Sequence, residues 1–364
     1  MDRHIRAIRI FDKDLNFLGE VDNFTSLFFT RRWNTYGEFE FHVIDFDKEL
    51  IKKGNIIMVD NDEGKCGIIE YIEINEEDGK DIKVKGFSLL YLLTFRLIVP
   101  PDGKEEQVYS GFADEIMINL VKSNTLLSGE RKIENLKIQD SKKLGNTFDF
   151  SAAYTNLCDE ITKLCDASGF GAAIDFDIKT QSLIFKVLQG RDLSSIQDKN
   201  PPAIFSVEYD NVKKQTYIQS DLSYKNCAYI GLQSSKPFIF NNEKSGLDRR
   251  EVFFKNDKDN TNFAGFAEFK LKKNGVIESY ECEVDAEGYK KEWDLGDIVT
   301  TVSKKYGFII HNRVNEVKEI YEKNTVTIEP IFGSIIPTIL DEVKKTSSSE
   351  SGSRSSLGLA KNTQ

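Results

Sequence analysis

Short runs in which hydrophobic and polar residues alternate dominate the first 90 positions. The run at 39–43 has a period of two, as expected of a strand with one buried face. Turns rich in Gly and Asp separate such runs, and this spacing predicts an antiparallel β-barrel or sandwich. The predicted strands lie at 5–11, 17–19, 27–33, 39–43, 56–59, 67–74 and 82–86.

The pattern changes between residues 100 and 200. Apolar residues from Ala113 to Val121 recur at helical spacing, which predicts a helix. A second helix is predicted around Leu157 to Cys165, with Gly169 placed as its C-terminal cap. Two strands follow, at 173–176 and 183–187. This part therefore reads as an α+β domain.

Strand patterns return at about residue 203 and continue to about 335. The last residues are rich in Ser and Gly, which predicts a flexible tail. The fold class is therefore mainly β with an α+β middle domain. The predicted division is an N-terminal β-barrel domain (1–99), the α+β domain (100–200), a C-terminal β-rich domain (201–345) and the tail (346–364).

The C-terminal strands repeat the pattern of the first ones. Glu40-Phe41-His42-Val43 precedes Gly54-Asn55-Ile56-Ile57, and Glu281-Cys282-Glu283-Val284 precedes Gly296-Asp297-Ile298-Val299. The next glycine follows after 13 residues in the first copy and after 11 in the second. This agreement predicts two antiparallel β-barrels related by an internal repeat, although any two β-meanders with glycine turns can share such spacing. A trimer of such chains would present six similar units to a sixfold ring.

Composition excludes several classes of protein. With 364 residues, 40% of them hydrophobic, the chain can form substantial cores. Its net charge of −10 argues against tight nucleic-acid binding. No apolar run approaches the roughly 18 residues of a membrane span, so no membrane anchor is expected. The five cysteines form no CxxC pair, so neither a disulfide framework nor a zinc site is expected and a reducing cytoplasm fits best.

The candidate catalytic residues are few. His4, His42 and His311 have no neighbouring Ser or Cys in a nucleophile motif, and structural or surface roles explain them better. The acidic runs at 60–63 and 76–78 contain paired carboxylates, as a glycosidase requires. Both lie in predicted turns, where solvated acidic residues are common. The sequence therefore predicts no catalytic residue.

Metal and cofactor sites are not predicted either. Residues 257–261, with Glu268 twelfth in the count, resemble a calcium loop. However, Asn262 stands where such a loop needs Gly, and no flanking helix is predicted, so a hydrated hairpin is preferred. Cys158 and Cys165 share one face of a predicted helix and are better explained as buried apolar residues than as ligands.

Two short basic clusters stand out, Arg31-Arg32-Trp33 and Lys213-Lys214. Neither has the interleaved aromatic residues of a protein that binds single-stranded nucleic acid. Lysine and arginine on strand edges also prevent sheets from aggregating edge to edge. Contacts between copies of a ring-forming chain would lie among such edges and loops, and the sequence does not identify them.

Several motifs follow one another in a defined order. They are Phe39-Glu40-Phe41-His42-Val43 after Trp33 and Gly37, Gly86-Phe87-Ser88-Leu89-Leu90-Tyr91-Leu92-Leu93, Arg96-Leu97-Ile98-Val99-Pro100, Gly190-Arg191-Asp192-Leu193-Ser194, Phe205-Ser206-Val207-Glu208-Tyr209-Asp210-Asn211, Tyr224-Lys225-Asn226, Asp294-Leu295-Gly296-Asp297-Ile298-Val299, Arg313-Val314-Asn315-Glu316-Val317, Phe332-Gly333 and Ile336-Pro337-Thr338. Their order and spacing resemble those of siphophage tail hub proteins of the ReqiPepy type. The resemblance covers about residues 5–340.

The resemblance implies a non-enzymatic structural protein of the virion tail tip, assembled in the cytoplasm of a bacterial host. Members of this family are expected to be homotrimers with two tube-like β-barrels per chain. The implied partners are the tail tube or distal tail protein, the central fibre or spike protein and the tape measure protein. DNA would pass through the hub without specific binding, and no cofactor is implied.

Three alternatives remain open. One is the hub of a contractile tail or of a phage-tail-like bacteriocin, which has the same architecture around a spike. Another is a tail-associated cell-wall hydrolase, which requires an acid and a base in a cleft. The last is a glycan-binding module, for which exposed aromatic residues such as Trp293 or Tyr289 could serve.

Overall fold

The computed structural model describes residues 7–75, 81–127, 129–231, 236–255, 263–272, 274–322, 325–334 and 354–359. The fold is mainly β, with 47% of the described residues in strands and 16% in helices, and it contains several sheets. This agrees with the fold class predicted from the sequence.

The first 90 residues form seven strands that pair antiparallel in the order β3-β4-β7-β6-β5-β1-β2. Alternation places every second residue of β4 in the core, including Phe39 and Phe41. A 3-10 helix, Leu89–Phe95, follows and buries Leu89, Leu90 and Leu93. The strands are β1 (Ile8–Phe11), β2 (Phe17–Val21), β3 (Phe24–Arg32), β4 (Glu38–Val43), β5 (Ile56–Val59), β6 (Cys66–Asn75) and β7 (Asp81–Ser88).

The middle of the chain contains both predicted helices. Helix α2 begins after Asn156, whose side chain accepts hydrogen bonds from the backbone N–H groups of Cys158 and Asp159. It ends at Gly169, which has a φ of 77°, so the predicted cap is confirmed. The elements are β8 (Gln107–Phe112), α1 (Ala113–Thr125), β9 (Leu136–Ile138), β10 (Thr147–Ala153), α2 (Leu157–Ser168), β11 (Gly171–Asp177) and β12 (Ser182–Leu188).

The sequence predicted only strands in the C-terminal part, but the structure also contains a helix there. A separate sheet of order β16-β15-β17 packs against helix α3, which buries Phe266, Ala267 and Leu271. The elements are β13 (Ile204–Phe205), β14 (Val212–Ser220), β15 (Cys227–Gly231), β16 (Phe238–Phe240), β17 (Glu251–Lys255), α3 (Phe263–Lys272), β18 (Ile277–Val284), β19 (Ile298–Ser303), β20 (Phe308–Glu322), β21 (Thr325–Gly333) and β22 (Arg354–Leu359).

One long sheet joins the two β-rich regions. Its order is β14-β18-β21-β20-β3-β4-β7-β6-β5-β1-β2, and β19 pairs with β20. Among the described strands this path is open, so the two closed barrels expected from the sequence are not present. The reason lies in β3. One edge of β3 pairs with β4. The other edge pairs with β20 of the other region, so it is not available to a strand of its own region that would close a barrel.

Each β-rich region contributes an aromatic residue to the core of the other. Tyr321 of β20 packs with Phe29 and Phe41 in the first region. Trp33, directly after β3, packs with Tyr280 and other aromatic residues in the second. Full burial of a large apolar side chain stabilises a fold by roughly 2–3 kcal/mol. The exchange therefore contributes to holding the two regions together.

Part of the predicted flexible tail forms a strand. Residues of β22 pair antiparallel with β10, from Leu359 opposite Phe148 to Arg354 opposite Ala153. The free edge of β10 supplies this pairing, because β8 occupies its other edge. The remainder of the predicted tail, 346–353 and 360–364, lies outside the described residues.

The five cysteines form no disulfide bond with one another. All five cysteines are buried free thiols. Burial raises the pKa of the Cys158 thiol to about 12, so it stays protonated. No helix in the described ranges is long and apolar enough to cross a bilayer.

Candidate functional site

The joint between the two β-rich regions is the pairing of β3 with β20. It runs antiparallel from Glu316 opposite Arg32 to Glu322 opposite Ser26. Arg32 also donates from Nε to the Glu316 carboxylate at 2.6 Å. Residues nearly 300 positions apart in the chain are thus held in register, and a group of polar side chains lies beside this joint.

A group of polar side chains, here called the junction cluster, consists of Arg31, Lys65, Tyr289, Asp294 and Glu319, all at least partly buried, with Asp294 the most exposed at 37%. Arg31 donates from Nη1 to the Tyr289 hydroxyl at 2.8 Å and to Asp294 at 2.7 Å. Tyr289 donates to Glu319 at 3.0 Å, and the Lys65 ammonium group pairs with the same carboxylate. The side chains of Glu319 and Lys65 are only 1% and 9% exposed. The cluster joins β3, the β5–β6 turn, the segment before β19, and β20.

The electrostatics of the junction cluster are balanced. Burial raises the pKa of Tyr289 well above its ordinary value, so its hydroxyl accepts from Arg31 and still carries a proton to donate to Glu319. Two cations face two carboxylates. Buried ions of this kind depend on one another, because removal of one partner leaves the other uncompensated at a cost of about 3–5 kcal/mol. The cluster therefore fixes how the two regions meet.

An open cleft of about 1040 Å³ lies beside the junction cluster. Its walls come from β3, the β5–β6 turn, β11, β12 and the segment before β19. Three ion pairs line it: Asp62 with Lys290, Asp175 with Lys186, and Asp297 with Arg191. Each of these cations is paired with a carboxylate of the same chain. The cleft is therefore better described as an interface between chain segments than as a binding site for a charged ligand.

The acidic run at 60–63 lies on the wall of this cleft. The Asp62 carboxylate accepts from the backbone N–H of Gly64 at 3.2 Å and pairs with Lys290. Burial alone would raise the pKa of Asp62, but the charge and hydrogen bond of Lys290 outweigh burial and the net shift is downward. A glycosidase acid needs a raised pKa. Asp62 is therefore suited to an ion pair and not to proton donation.

Two of the three histidines lie in described strands. His42 has its two ring nitrogens 2.9 Å from the carboxylates of Asp81 and Glu40. His311 has Nδ1 3.0 Å from the hydroxyl of Thr300, which accepts from the backbone N–H of Ser195 at 2.8 Å. Thr300 is fully buried, so its hydroxyl is closed to a substrate. Both histidines thus make structural contacts.

Several other predicted candidates lie outside the described residues: His4, the acidic run at 76–78, and the loop residues 257–262. Helix α3 begins directly after that loop, where the sequence predicted no helix, and Glu268 is exposed on it. In the part of the chain that the structure describes, no three His, Cys, Asp or Glu side chains are close enough together to hold a metal ion.

The aromatic residues proposed for glycan binding are not exposed. Trp293 and Tyr289 are 3% and 8% accessible, respectively. Trp293 packs edge to face against Phe205, with ring centroids 5.3 Å apart. The expectation of an aromatic platform at these two positions is therefore wrong, because both side chains belong to the core of the second region.

The short basic clusters face carboxylates. Arg31 belongs to the junction cluster, and Arg32 pairs with Glu316. On β14, Lys213 and Lys214 pair with residues on or next to the neighbouring strand β18: Asp285 at 2.5 Å and Glu283 at 2.8 Å, respectively. These clusters therefore strengthen strand pairing within the chain.

Trp33 occupies a position that the sequence motifs did not reveal. Its Nε1 donates to the carbonyl of Gly169 at 3.2 Å, and the Arg313 guanidinium lies 5.4 Å from its ring centroid. A Cβ atom at Gly296 would lie 2.0 Å from the ring, and one at Gly171 would lie 2.6 Å from it. The indole thus touches all three regions. The only sequence signal was the presence of glycine beside strands β11 and β19.

Comparisons with known proteins agree on one class. The model of the Siphovirus ReqiPepy6 Gp37-like protein family matches residues 7–334. A search of curated proteins finds no match.

Three solved structures with a similar fold are tail proteins. A 43 kDa tail protein of prophage MuSo2 from Shewanella oneidensis has a TM-score of 0.58 and 12% identity, covering 90% of this chain and 98% of that one. A tail protein from Neisseria meningitidis MC58 has a TM-score of 0.56 and 11% identity, covering 90% and 96%. Prophage tail protein gp18 from Listeria monocytogenes EGD-e has a TM-score of 0.56 and 13% identity, covering 94% and 98%. At such low identity these structures establish the fold.

Proposed function

This chain belongs to the Siphovirus ReqiPepy6 Gp37-like family of phage tail proteins, and on that basis we propose that it is a structural hub at the distal end of the tail. In this role it forms a homotrimer that joins the sixfold tail tube or distal tail ring to the central fibre or spike. Its role is mechanical and needs neither enzymatic activity nor a cofactor.

The observation that carries the proposal is a recurring strand order. In the first region the order is β3-β4-β7-β6-β5, and in the second it is β14-β18-β21-β20-β19. We name these two sets of strands the first repeat and the second repeat. Three chains with two such repeats would present six similar units, which matches a threefold tip to a sixfold tube.

The turns of the two repeats support their equivalence. Gly54 and Gly296, before β5 and β19, have φ angles of 88° and 90°. The backbone N–H of Gly54 donates to the carbonyl of Ile69 at 2.8 Å, and that of Gly296 donates to Val314, also at 2.8 Å. The sequence-based alignment of these two glycines agrees with this geometry.

Charge fits a conduit for DNA. A net charge of −10 favours a surface that repels phosphates, so a genome could pass without specific binding. The tape measure protein is a further proposed partner. The particle itself is assembled in the bacterial cytoplasm, and the same architecture would serve the hub of a phage-tail-like bacteriocin.

Light scattering of the purified chain across a concentration range tests the proposed assembly. A species of three times 41.5 kDa is expected. A strict monomer at every concentration would contradict the trimer. Release of peptidoglycan fragments by the same preparation would contradict the non-enzymatic role.

A further inference from the structure

Strand β6 has an edge whose second half pairs with no described strand. One edge of β6 pairs with β7 from Gly67 to Asn75. The other edge pairs with β5 only from Cys66 to Ile68. Its counterpart β20 is used fully: its first half pairs with β19 and its second half pairs with β3. When β6 is aligned with β20, the segment from Tyr71 to Ile74 of β6 therefore corresponds to the part of β20 that pairs with β3.

Strand β14 has the complementary opening. It pairs with β18 on one edge, and no described strand pairs with the other. Its counterpart β3 pairs with β4 on one edge and with β20 on the other. Among the described strands of the two repeats, these two unpaired edges therefore correspond to the two edges that form the β3–β20 joint.

Irregularities in the ladders set the register between the repeats. The β3–β4 ladder shifts between Phe24 and Ser26, and the β14–β18 ladder shifts between Val212 and Lys214. The β6–β7 ladder shifts after Ile69, and the β20–β21 ladder shifts after Val314. These irregularities align β14 with β3, and β6 with β20, without ambiguity.

We infer that β14 of one chain pairs antiparallel with the second half of β6 in the next copy of the chain. Transfer of the β3–β20 register places Tyr71 opposite Ser220, Glu73 opposite Ile218 and Ile74 opposite Tyr217. This inference deepens the proposed trimer and rests on it. Within one chain the two edges are separated by six intervening strands of an open sheet, so the partner must be a second copy.

The side chains at these edges suit such a contact. Tyr71 and Ile74 are 48% and 52% exposed, and Tyr217 is 36% exposed. The pairing would place Ile74 against Tyr217, and aromatic and β-branched residues opposite each other stabilise antiparallel strands. No like charges face each other in this register. An exposed apolar strand edge otherwise invites aggregation, which covering by a second copy prevents.

The geometry of the contact is head to tail. The surface used by β14 differs from the surface used by β6, so each chain offers one of each, and repeated contacts close into a ring or extend as a filament. The joint inside each chain and the joint between chains would then alternate around the ring.

Cysteine pairs in the full-length chain test this register. We would oxidise two double variants, E73C/I218C and I74C/Y217C, because side chains of adjacent antiparallel pairs alternate in their separation. The matched control, E73C/T216C, is displaced by two residues. Single variants and the unmodified chain measure the background, which should be low because all five native thiols are buried.

A disulfide-linked ladder that ends at three chains in at least one in-register variant, and not in the control, is the expected result. The native mass of each preparation is measured in parallel. A trimer without either in-register crosslink would overturn the strand pairing and leave the proposed hub intact. A strict monomer would contradict both.

Discussion

One indole ring sets how closely three segments of the chain approach each other. Trp33 fills the space over Gly171 and Gly296, and neither position leaves room for a Cβ atom. The φ of 90° at Gly296 is a second reason for glycine there. Steric fit and backbone conformation can be separated, because the equivalent turn residue Gly54 has the same conformation and open space around it.

Replacement of Gly296 with Ala should therefore cost more than the same change at Gly54. G54A is expected to lower the free energy of unfolding by about 1–2 kcal/mol, because alanine disfavours a positive φ. G296A should add about 1–3 kcal/mol, because the new Cβ overlaps the indole of Trp33. Urea unfolding at one fixed protein concentration measures both. Equal losses would show that the indole does not limit this site.

His42 gives the stability a dependence on pH. Partial burial lowers its pKa, but hydrogen bonds and charges from Glu40 and Asp81 outweigh burial, and the net shift is upward. The stabilisation is therefore complete below the unfolded-state pKa of about 6.5 and is lost as the pH rises through the folded-state value. H42Q should cost about 0.5–1 kcal/mol at pH 5.5 and less at pH 8.5.

Lys85 provides the control for His42. It also pairs with Glu40, at 2.7 Å, and its pKa is shifted upward, so it stays charged across this range. K85M should therefore lose a similar stability at pH 5.5 and pH 8.5 in chemical unfolding. A loss for H42Q that did not shrink at the higher pH would contradict the assigned charge state of His42.

At the scale of elements, local sequence patterns were enough to predict most strands and two of the helices. The C-terminal cap of α2 was predictable because Gly169 directly follows the last turn of the helix, whereas the N-terminal cap Asn156 was not predicted. Helix α3 was not predicted from the sequence. Its only distinguishing feature is a short buried face, from Phe266 to Leu271, and the neighbouring segments are strands. Such a short apolar segment has no periodicity that separates a helix from a strand.

Spacing between glycines misled one part of the predicted repeat. Gly67 lies inside β6 opposite Ile57, where the Phe39 ring leaves no space for a Cβ atom. Gly307 instead lies in the turn before β20, with a φ of 72°. The residue of β20 that occupies the place of Gly67 is Asn312, opposite Val299. Gly67 and Gly307 are therefore glycine for different physical reasons, and their similar distances from the preceding glycines Gly54 and Gly296 are a coincidence.

The ion pair of Lys65 with Glu319 should hold the β5–β6 turn against β20. K65M is expected to lower the free energy of unfolding by about 3–5 kcal/mol, because it leaves the buried Glu319 carboxylate without its cation. The double variant K65M/E319L should recover most of this loss, since it removes both charges. Urea unfolding measures the cycle.

An exposed ion pair of similar geometry is the control. Lys214 lies 2.8 Å from Glu283 with its side chain 83% exposed. K214M should cost much less than K65M, because solvent screens an exposed ion pair. A loss for K65M as small as that for K214M, or a double variant no more stable than K65M, would contradict a joint fixed by buried charge.

At the scale of the whole molecule, the joint between the regions was not predictable from local pattern. It depends on pairs such as Arg32 with Glu316, which lie far apart in the chain and become neighbours only in the sheet. The same long-range pairing explains why two patterns that each read as a barrel produce one open sheet. In the proposed assembly, the unpaired edges of β6 and β14 would bind a second copy of the chain.

The most direct test of the hub is its position in the particle. Tails purified from the strain that encodes this chain would be labelled with gold-conjugated antibodies and viewed by negative-stain electron microscopy. Label at one end of each tail, the end opposite the head in complete virions, is the predicted result. Label along the length of the tube, or tails with no label while the chain remains free in solution, would contradict a structural hub at the distal end.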